Sequence, residues 1–290
     1  MGIVDEIKQQ FRMGGVNEKL IYLNVFLFAV PWILTGVLSL FAIVFNFTHY
    51  ISLSSNPSDL LWKPWSILTY AFFHADIFHI LFNLIVLNFA GRLFLTFFTQ
   101  KQLLSLYLLG AIFSGFIFIV SYLVFPALIK QNAALIGASG AIMAVLFATT
   151  TYAPYMQIRL LLIGTVKLWH IALFYLIIDL ISLSFSNVGG HIAHLGGALF
   201  GYLYSSQLKN GNDITKPFTS FVDGLVNLFR SRKSTPFKKV HKNQNYTRSK
   251  PASKDKTQQQ IDEILDKISK SGYDSLTKEE KEFLFKAGKS

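Results

Sequence analysis

Three groups of polar residues stand near the starts of three otherwise apolar segments of this 290-residue chain. The first group contains His79 and Asn83, the second contains Ser139, and the third contains His194. A serine hydroxyl is a weak nucleophile alone, and a neutral imidazole that accepts its proton activates it. Ser139 and His194 are therefore the residue types that nucleophilic acyl transfer requires, and that reaction also needs donors for the oxyanion it forms.

Candidate oxyanion donors lie in the same groups. His79 and Asn83 are four residues apart, so they share one face of a helix, and the backbone N–H of Ser139 would be free at a helix N-terminus. No acid that would complete a triad is evident. Asp179 lies in a later apolar segment, and because nothing in the sequence ties it to His194, we interpret it as an internal hydrogen-bond partner.

The elements that must position these residues are membrane helices. The composition is 52% hydrophobic and only 15% charged, whereas soluble domains carry about 25% charged residues. Eighteen of the 27 lysines and arginines follow residue 206, which predicts a membrane domain and then a solvated basic tail. Cysteine is absent, which excludes disulfides and thiolate chemistry.

Six segments are apolar enough to be candidate membrane helices, which need about 20 residues. They are residues 20–45, 77–98, 103–129, 135–153, 168–185 and 190–204. Basic residues mark the N-terminal segment and the connections after the second and fourth helices, which predicts that both termini are cytoplasmic. The second, fourth and sixth helices then run inward, and the polar residues share one depth near the outer face.

Small residues predict how these helices come together. They recur every four positions in the fourth and sixth segments, as Gly140, Ala144 and Ala148 and as Ala193, Gly197 and Gly201. Such stripes let helix backbones approach closely. If the stripes face each other, Ser139 and His194 come within hydrogen-bond reach.

We predict four parts along the chain. They are a cytoplasmic segment 1–19, a six-helix domain 20–206, a basic linker 207–256 with a candidate interfacial helix, and a small helical hairpin 257–290. Apolar residues at helical spacing between 218 and 229 suggest a helix on an anionic membrane face, with a solvated basic segment as the alternative. The polar composition of 231–256 predicts disorder, and Thr277 with Glu280 resembles a capping box.

Three motifs together resemble the rhomboid family of intramembrane proteases, over about residues 15–206. Any one of them would be a weak signal, but three in order on separate membrane helices are specific. The residues that match are His74, His79 and Asn83; Gly137, Ser139 and Gly140; and Ala193, His194, Gly197 and Gly201.

The resemblance implies an all-α polytopic membrane protein, a six-helix rhomboid-like bundle with a partly disordered polar tail. It implies a serine endopeptidase that cleaves transmembrane protein substrates near the outer membrane face, with a dyad of Ser139 and His194. His79, Asn83 and the Ser139 amide would form the oxyanion hole, and His74 would lie near the site mouth and influence water. The fifth helix and its neighbouring loop would gate entry, and no metal or organic cofactor is implied. The likeness to bacterial members suggests the bacterial inner membrane.

Two positions depart from the family pattern. Many members carry a tyrosine four residues after the serine, stacked on the base histidine, and here that residue is Met143. A thioether can contact an aromatic ring favourably, so we expect altered rather than absent activity. Many members also have Trp-Arg in the first outer loop, where this chain has Trp65 and Ser66, which leaves the anchoring of that loop open.

Other functions compete with hydrolysis. A non-catalytic rhomboid-like binder would recognise membrane helices, although such proteins typically lose the serine or the histidine. A transporter would need a polar relay to both faces, and a zinc hydrolase would draw on His74, His79 and His194. His191 is interpreted as structural. For the tail, membrane lipids, anionic ones above all, or a cytoplasmic partner are better candidates than nucleic acid.

Overall fold

The computed structural model describes residues 2–160, 163–185, 187–229 and 256–288. Contacts divide the chain into two compact units, Met1–Ser231 and Arg232–Ser290. The predicted disordered linker falls mostly outside the described residues, as do Arg230, Arg232 and Lys233 of the proposed interfacial segment.

The first unit is mostly helical. Its helices are α1 (Ile3–Met13), α2 (Val16–Leu40), α3 (Thr48–Ile51), α4 (Ser66–Thr69), α5 (Ile77–Phe94), α6 (Gln100–Val124), α7 (Ser139–Tyr152), α8 (Leu168–Ser182), α9 (Val188–Lys209) and α10 (Lys216–Phe229), with 3-10 turns at Pro57–Leu61 and Tyr70–Phe72. Among the described residues α2, α5 and α6 are long and apolar enough to cross a membrane, and α7 and α8 are shorter apolar helices. The count of six spans stays a prediction.

Two short antiparallel pairs of strands depart from the all-α prediction. β1 (Leu53–Ser54) pairs with β2 (Ala134–Leu135), and β3 (Gln157–Leu160) pairs with β4 (Gly164–Lys167). The first pair corrects the start of the fourth helix, which we predicted at residue 135. Ala134 and Leu135 are extended instead, because they pair with Ser54 and Leu53 in the loop between α2 and α5.

α7 forms the centre of the bundle. Ten of its 14 residues are buried, so protein rather than lipid surrounds it, as its small residues predict. A Cβ added to Gly197 would meet the carbonyl oxygen of Gly140, and one added to Gly201 would meet that of Ala144. The two stripes therefore face each other, and α7 and α9 pack backbone against backbone along what we call the α7–α9 seam.

Three side-chain hydrogen bonds stabilise the loop between α2 and α5. Three side chains donate hydrogen bonds to three consecutive carbonyl oxygens: Lys63 to His49 (2.9 Å), Trp65 to Tyr50 (2.9 Å) and Thr69 to Ile51 (3.0 Å). Ser66 is buried beneath them. These bonds fix the loop without the arginine that many rhomboids carry at the position of Ser66.

The second unit is a pair of helices, α11 (Lys256–Ser271) and α12 (Lys278–Ala287), with a 3-10 turn at Tyr273–Ser275. The capping box of Thr277 and Glu280 is present. Lys267 lies 2.8 Å from Glu280 across the pair. The hydrogen bond from Lys267 and a second from the Thr277 backbone N–H hold the pKa of Glu280 below its ordinary value.

Candidate active site

Ser139 lies where an extended segment turns into α7. The backbone N–H of Gly137 donates to the Tyr70 carbonyl oxygen (2.9 Å). Gly137 has a φ of 132°, a backbone conformation that residues other than glycine rarely adopt. The helix begins at Ser139 with no side-chain cap. No side chain among the described residues therefore caps its first N–H groups, which have no acceptor within the helix.

His194 reaches this serine from α9. Its Nε2 lies 2.7 Å from the Ser139 Oγ, a distance typical of a strong hydrogen bond. The α7–α9 seam produces this geometry, because Gly140 and Gly197 bring the two backbones into contact next to both side chains. The structure thus brings together the two residues whose proximity the small-residue stripes predict.

His79 and Asn83 line the same site from α5. Asp76 caps this helix by accepting from the His79 backbone N–H (2.9 Å). The His79 Nδ1 faces the Ala75 backbone N–H (3.4 Å), so the ring proton belongs on Nε2. A Cβ added to Gly137 would lie 2.7 Å from that Nε2, which places a donor beside the loop that carries the serine.

The Asn83 amide has a different partner from the one we predicted. Its Nδ2 donates to the carbonyl oxygen of His79 in its own helix (2.7 Å). To reach an oxyanion near Ser139, this amide must first leave the backbone. Sequence spacing gave the correct helix face, and the local side-chain to backbone bond decides the orientation.

His74 corrects the prediction of a residue at the site mouth. It is 1% exposed, and its ring packs edge-on against His79 with centroids 5.2 Å apart. Burial, followed by the charge of His79, lowers the pKa of His74 to about 3. A neutral, enclosed imidazole supports the position of His79 rather than meeting solvent.

A cavity of about 690 Å³ opens in front of the serine. Helices α5, α7, α8 and α9 all contribute to its wall, as does β2. The residues that line it are Ala75, Asp76, His79, Phe82, Asn83, Val86, Ala134, Leu135, Ile136, Ser139, Ile142, Met143, Tyr175, Asn187, Gly190 and His194. Met143 therefore shares the wall with His194, at the position where many rhomboids have tyrosine.

A second, apolar cavity of about 480 Å³ lies between α5 and α8. It shares Val86 and Tyr175 with the first. The remaining lining residues are Ile85, Phe89, Leu160, Ile163, Val166, His170, Ile171 and Phe174. The apolar cavity therefore lies next to the polar one, along α5 and α8.

Sequence reasoning missed how Asp179 is used. Its Oδ1 lies 2.7 Å from the Nδ1 of His194 and 2.8 Å from the Nδ1 of His191. The interpretation as an internal hydrogen-bond partner was correct, but the partner is the histidine that contacts Ser139. The available signals were an acid inside an apolar helix and two histidines three residues apart on one helix face.

The three residues Asp179, His191 and His194 also have ligand atoms within 4.8 Å of one another, close enough to hold a metal ion. This group differs from the zinc set that the sequence suggested, since His74 and His79 are not part of it. The distances of 2.7 and 2.8 Å are those of hydrogen bonds, which explain the cluster without an ion.

Comparisons with known proteins place the chain in a family. A family model for the rhomboid domain matches residues 61–210, just over half of the chain. Residues 251–288 match a family of unknown function, DUF6576.

Curated relatives include the mitochondrial presenilin-associated rhomboid-like protein of Rattus norvegicus, 31% identical over 59% of this chain and 47% of the relative. Presenilin-associated rhomboid-like protein A of Danio rerio, also mitochondrial, is 32% identical over 46% of this chain and 35% of the relative. The chain thus spans less than half the length of either relative. The domain match and the three long apolar helices make it a membrane protein. This chain belongs to the rhomboid family.

Proposed function

We propose that the protein is an intramembrane serine endopeptidase in which Ser139 is the nucleophile and His194 the general base. The observation that carries the proposal is the 2.7 Å contact between the Ser139 Oγ and the His194 Nε2 on the wall of the cavity. His194 takes the hydroxyl proton as the oxygen attacks a peptide carbonyl. It then protonates the leaving amine, and water hydrolyses the acyl-enzyme by the reverse roles.

The oxyanion of the tetrahedral intermediate would be held at the start of α7. The Ser139 backbone N–H is free there, and the partial positive charge of a helix N-terminus favours an anion. His79 would add its Nε2–H. Asn83 would join after releasing the His79 carbonyl, so we assign it a role in the reacting state rather than in the resting one.

The substrate class follows from the walls of the two cavities. An apolar segment could pass from lipid along α5 and α8, because the second cavity is lined almost wholly by apolar side chains and shares Val86 and Tyr175 with the first. We therefore propose transmembrane protein substrates, cleaved where their helix unwinds near the outer face. This orientation, with both termini cytoplasmic and a bacterial inner membrane, is part of the proposal.

The basic tail is proposed to contact anionic lipid or a cytoplasmic partner. α10 is a helix, and Phe221 is exposed on it. Lys101 pairs with Asp223 at 2.8 Å, and Ser105 bonds to Thr219, so α10 is tied to the start of α6. That position is compatible with a helix that lies along the membrane face.

Cleavage of a single-pass reporter in liposomes tests the proposed function. Ser139→Ala should reduce cleavage to background, since loss of the nucleophile lowers kcat by roughly 10⁶ in a soluble serine protease. A fluorophosphonate probe should label the wild type at Ser139 and a His194→Ala variant far more slowly. Ser205→Ala, which alters another serine on the α7–α9 seam, is the matched control and should cleave normally. Unchanged cleavage by Ser139→Ala would assign the activity to another active centre, and no cleavage by the wild type would favour a non-catalytic binder.

A further inference from the structure

We infer that Asp179 and His191 extend the Ser139–His194 pair into a hydrogen-bonded relay, in which Asp179 is a positioning residue for the base and His191 is a positioning residue for Asp179. This inference rests on the proposed function. It goes beyond a two-residue mechanism, because it gives the base a buried anionic partner from α8.

The location of Asp179 argues that it has a specific partner. The side chain is 3% exposed and lies in the last turn of α8, where the partial negative charge of the helix end disfavours a carboxylate. A buried charge is costly unless it is paired. Among the described residues, the side-chain hydrogen-bond partners of Asp179 are the Nδ1 atoms of His191 and His194.

The hydrogen bonds determine the tautomer of the base. A carboxylate only accepts, so the Nδ1 of His194, 2.7 Å from the Asp179 Oδ1, carries the proton. The Nε2 then has a free lone pair, and it is this atom that meets the Ser139 hydroxyl. Asp179 therefore selects the form of His194 that can accept the serine proton, and it would stabilise the imidazolium that forms.

His191 supplies the second donor to the same oxygen. It lies three residues before His194 on α9, so both rings share one helix face, and they meet edge-on with centroids 5.6 Å apart. The Asp179 Oδ2 is buried and has no hydrogen-bond partner among the described residues. The carboxylate thus depends on these two donors, and losing the His191 bond would leave its orientation to His194 alone.

Three other titratable groups lie near the relay. Tyr175 stands one turn before Asp179 on α8, and His79 and Asp76 line the cavity with His194. All three remain in the variants described below, so a change in pH profile would report on the relay itself.

The test compares full-length variants in liposomes by reporter cleavage across pH. Asp179→Asn should lower kcat by roughly 10²- to 10⁴-fold, because the amide can hold the wrong tautomer, with a smaller change in KM. The pH profile of cleavage should change as well, because the variant lacks the carboxylate that contacts the base. A purely structural role would reduce the amount of folded protein without moving the profile of the remaining active fraction.

Variants of His191 provide a second test, in which smaller losses of activity are expected. His191→Asn keeps a donor and should retain activity within about threefold, whereas His191→Phe removes it and should lose roughly tenfold. If Asp179→Asn does not fold, the comparison of His191→Asn with His191→Phe still tests the relay. Equal activity of the Asn and Phe variants, or a wild-type kcat and profile for Asp179→Asn, would overturn the relay. Activity abolished by a chelator would overturn it too, by assigning the cluster to a metal.

The outcomes separate the two proposals. If Ser139→Ala is inactive while Asp179→Asn behaves as wild type, the relay is wrong and the proposed function stands. If Ser139→Ala remains active, the proposed function itself is wrong.

Discussion

The two ends of the α7–α9 seam have the same packing around two different serines, and we call them the Ser139 end and the Ser205 end. At the Ser139 end, the serine Oγ lies 2.7 Å from an imidazole nitrogen on the facing helix. At the Ser205 end, the serine donates to the backbone carbonyl of Ala148 on the facing helix (2.5 Å) and is fully buried. Both serines lie where small residues let two backbones touch, and Ser139 also lines the first cavity.

The contrast shows that close helix contact alone does not place a serine next to a histidine. At the Ser205 end the hydroxyl satisfies a carbonyl, which is the ordinary role of serine in a membrane helix. At the Ser139 end the helix begins, and a histidine and a cavity lie beside the hydroxyl. The seam therefore brings the two backbones together, and the groups beside each serine decide what its hydroxyl contacts.

Among the variants that test packing along the seam, the largest loss of stability is expected when a glycine of the seam is replaced by a larger residue. Gly197→Ala or Gly201→Ala would press a methyl group against a backbone carbonyl that cannot move aside, which should cost about 1–3 kcal/mol of stability or more. Gly197 is nearer the site, and since a misplacement of 1 Å can cost about 10²-fold in rate, its variant should also lose kcat by that order.

Gly36 offers the matched control for these two glycines. Nothing lies within 4 Å of a Cβ added there, so Gly36→Ala should be neutral or stabilise by up to about 1 kcal/mol. Thermal unfolding in detergent and reporter kinetics measure both effects. Wild-type stability for Gly197→Ala would contradict the backbone contact, and an equal kcat loss in Gly201→Ala would remove the distinction between the two ends.

This comparison also explains what the sequence could reveal. The stripes that end in Ala148 and Gly201 are local repeats, visible without a structure, and they correctly predict the facing helices. Asp179 comes from a third helix, and its meeting with His194 depends on how α8 packs on α9, which no spacing within one segment encodes. The β3–β4 hairpin was missed for a related reason: its short alternating strands lie in a connection that was read only for charge.

Side-chain orientation was the other limit. The sequence places His74 and Asn83 near His79, but burial and a bond to the helix backbone decide where their rings and amides point. Such choices follow from competition among nearby partners, which residue types alone do not settle.

A smaller loss of stability is expected at Ser205. Ser205→Ala removes one buried hydrogen bond to Ala148, and we expect a loss of about 0.5–1.5 kcal/mol with cleavage within twofold of wild type. Unfolding and reporter cleavage measured on the same preparation check both numbers. If this variant were as inactive as Ser139→Ala, the Ser205 end of the seam would have to take part in the chemistry.

The smallest loss of stability is expected near the C-terminal end of α7. The Lys209 ammonium donates to the carbonyl oxygen of Thr151 (2.6 Å), one residue before the end of α7, where carbonyls lack partners within the helix. A cation near a helix C-terminus contributes about 0.3–1 kcal/mol when exposed, as Lys209 is. Lys209→Met keeps the apolar stem and should lower stability by that amount, while Lys209→Arg should restore it. Because the charge lies at the opposite end of α7 from Ser139, kcat should not change; a tenfold loss in Lys209→Met alone would mean that the two ends of the seam are coupled.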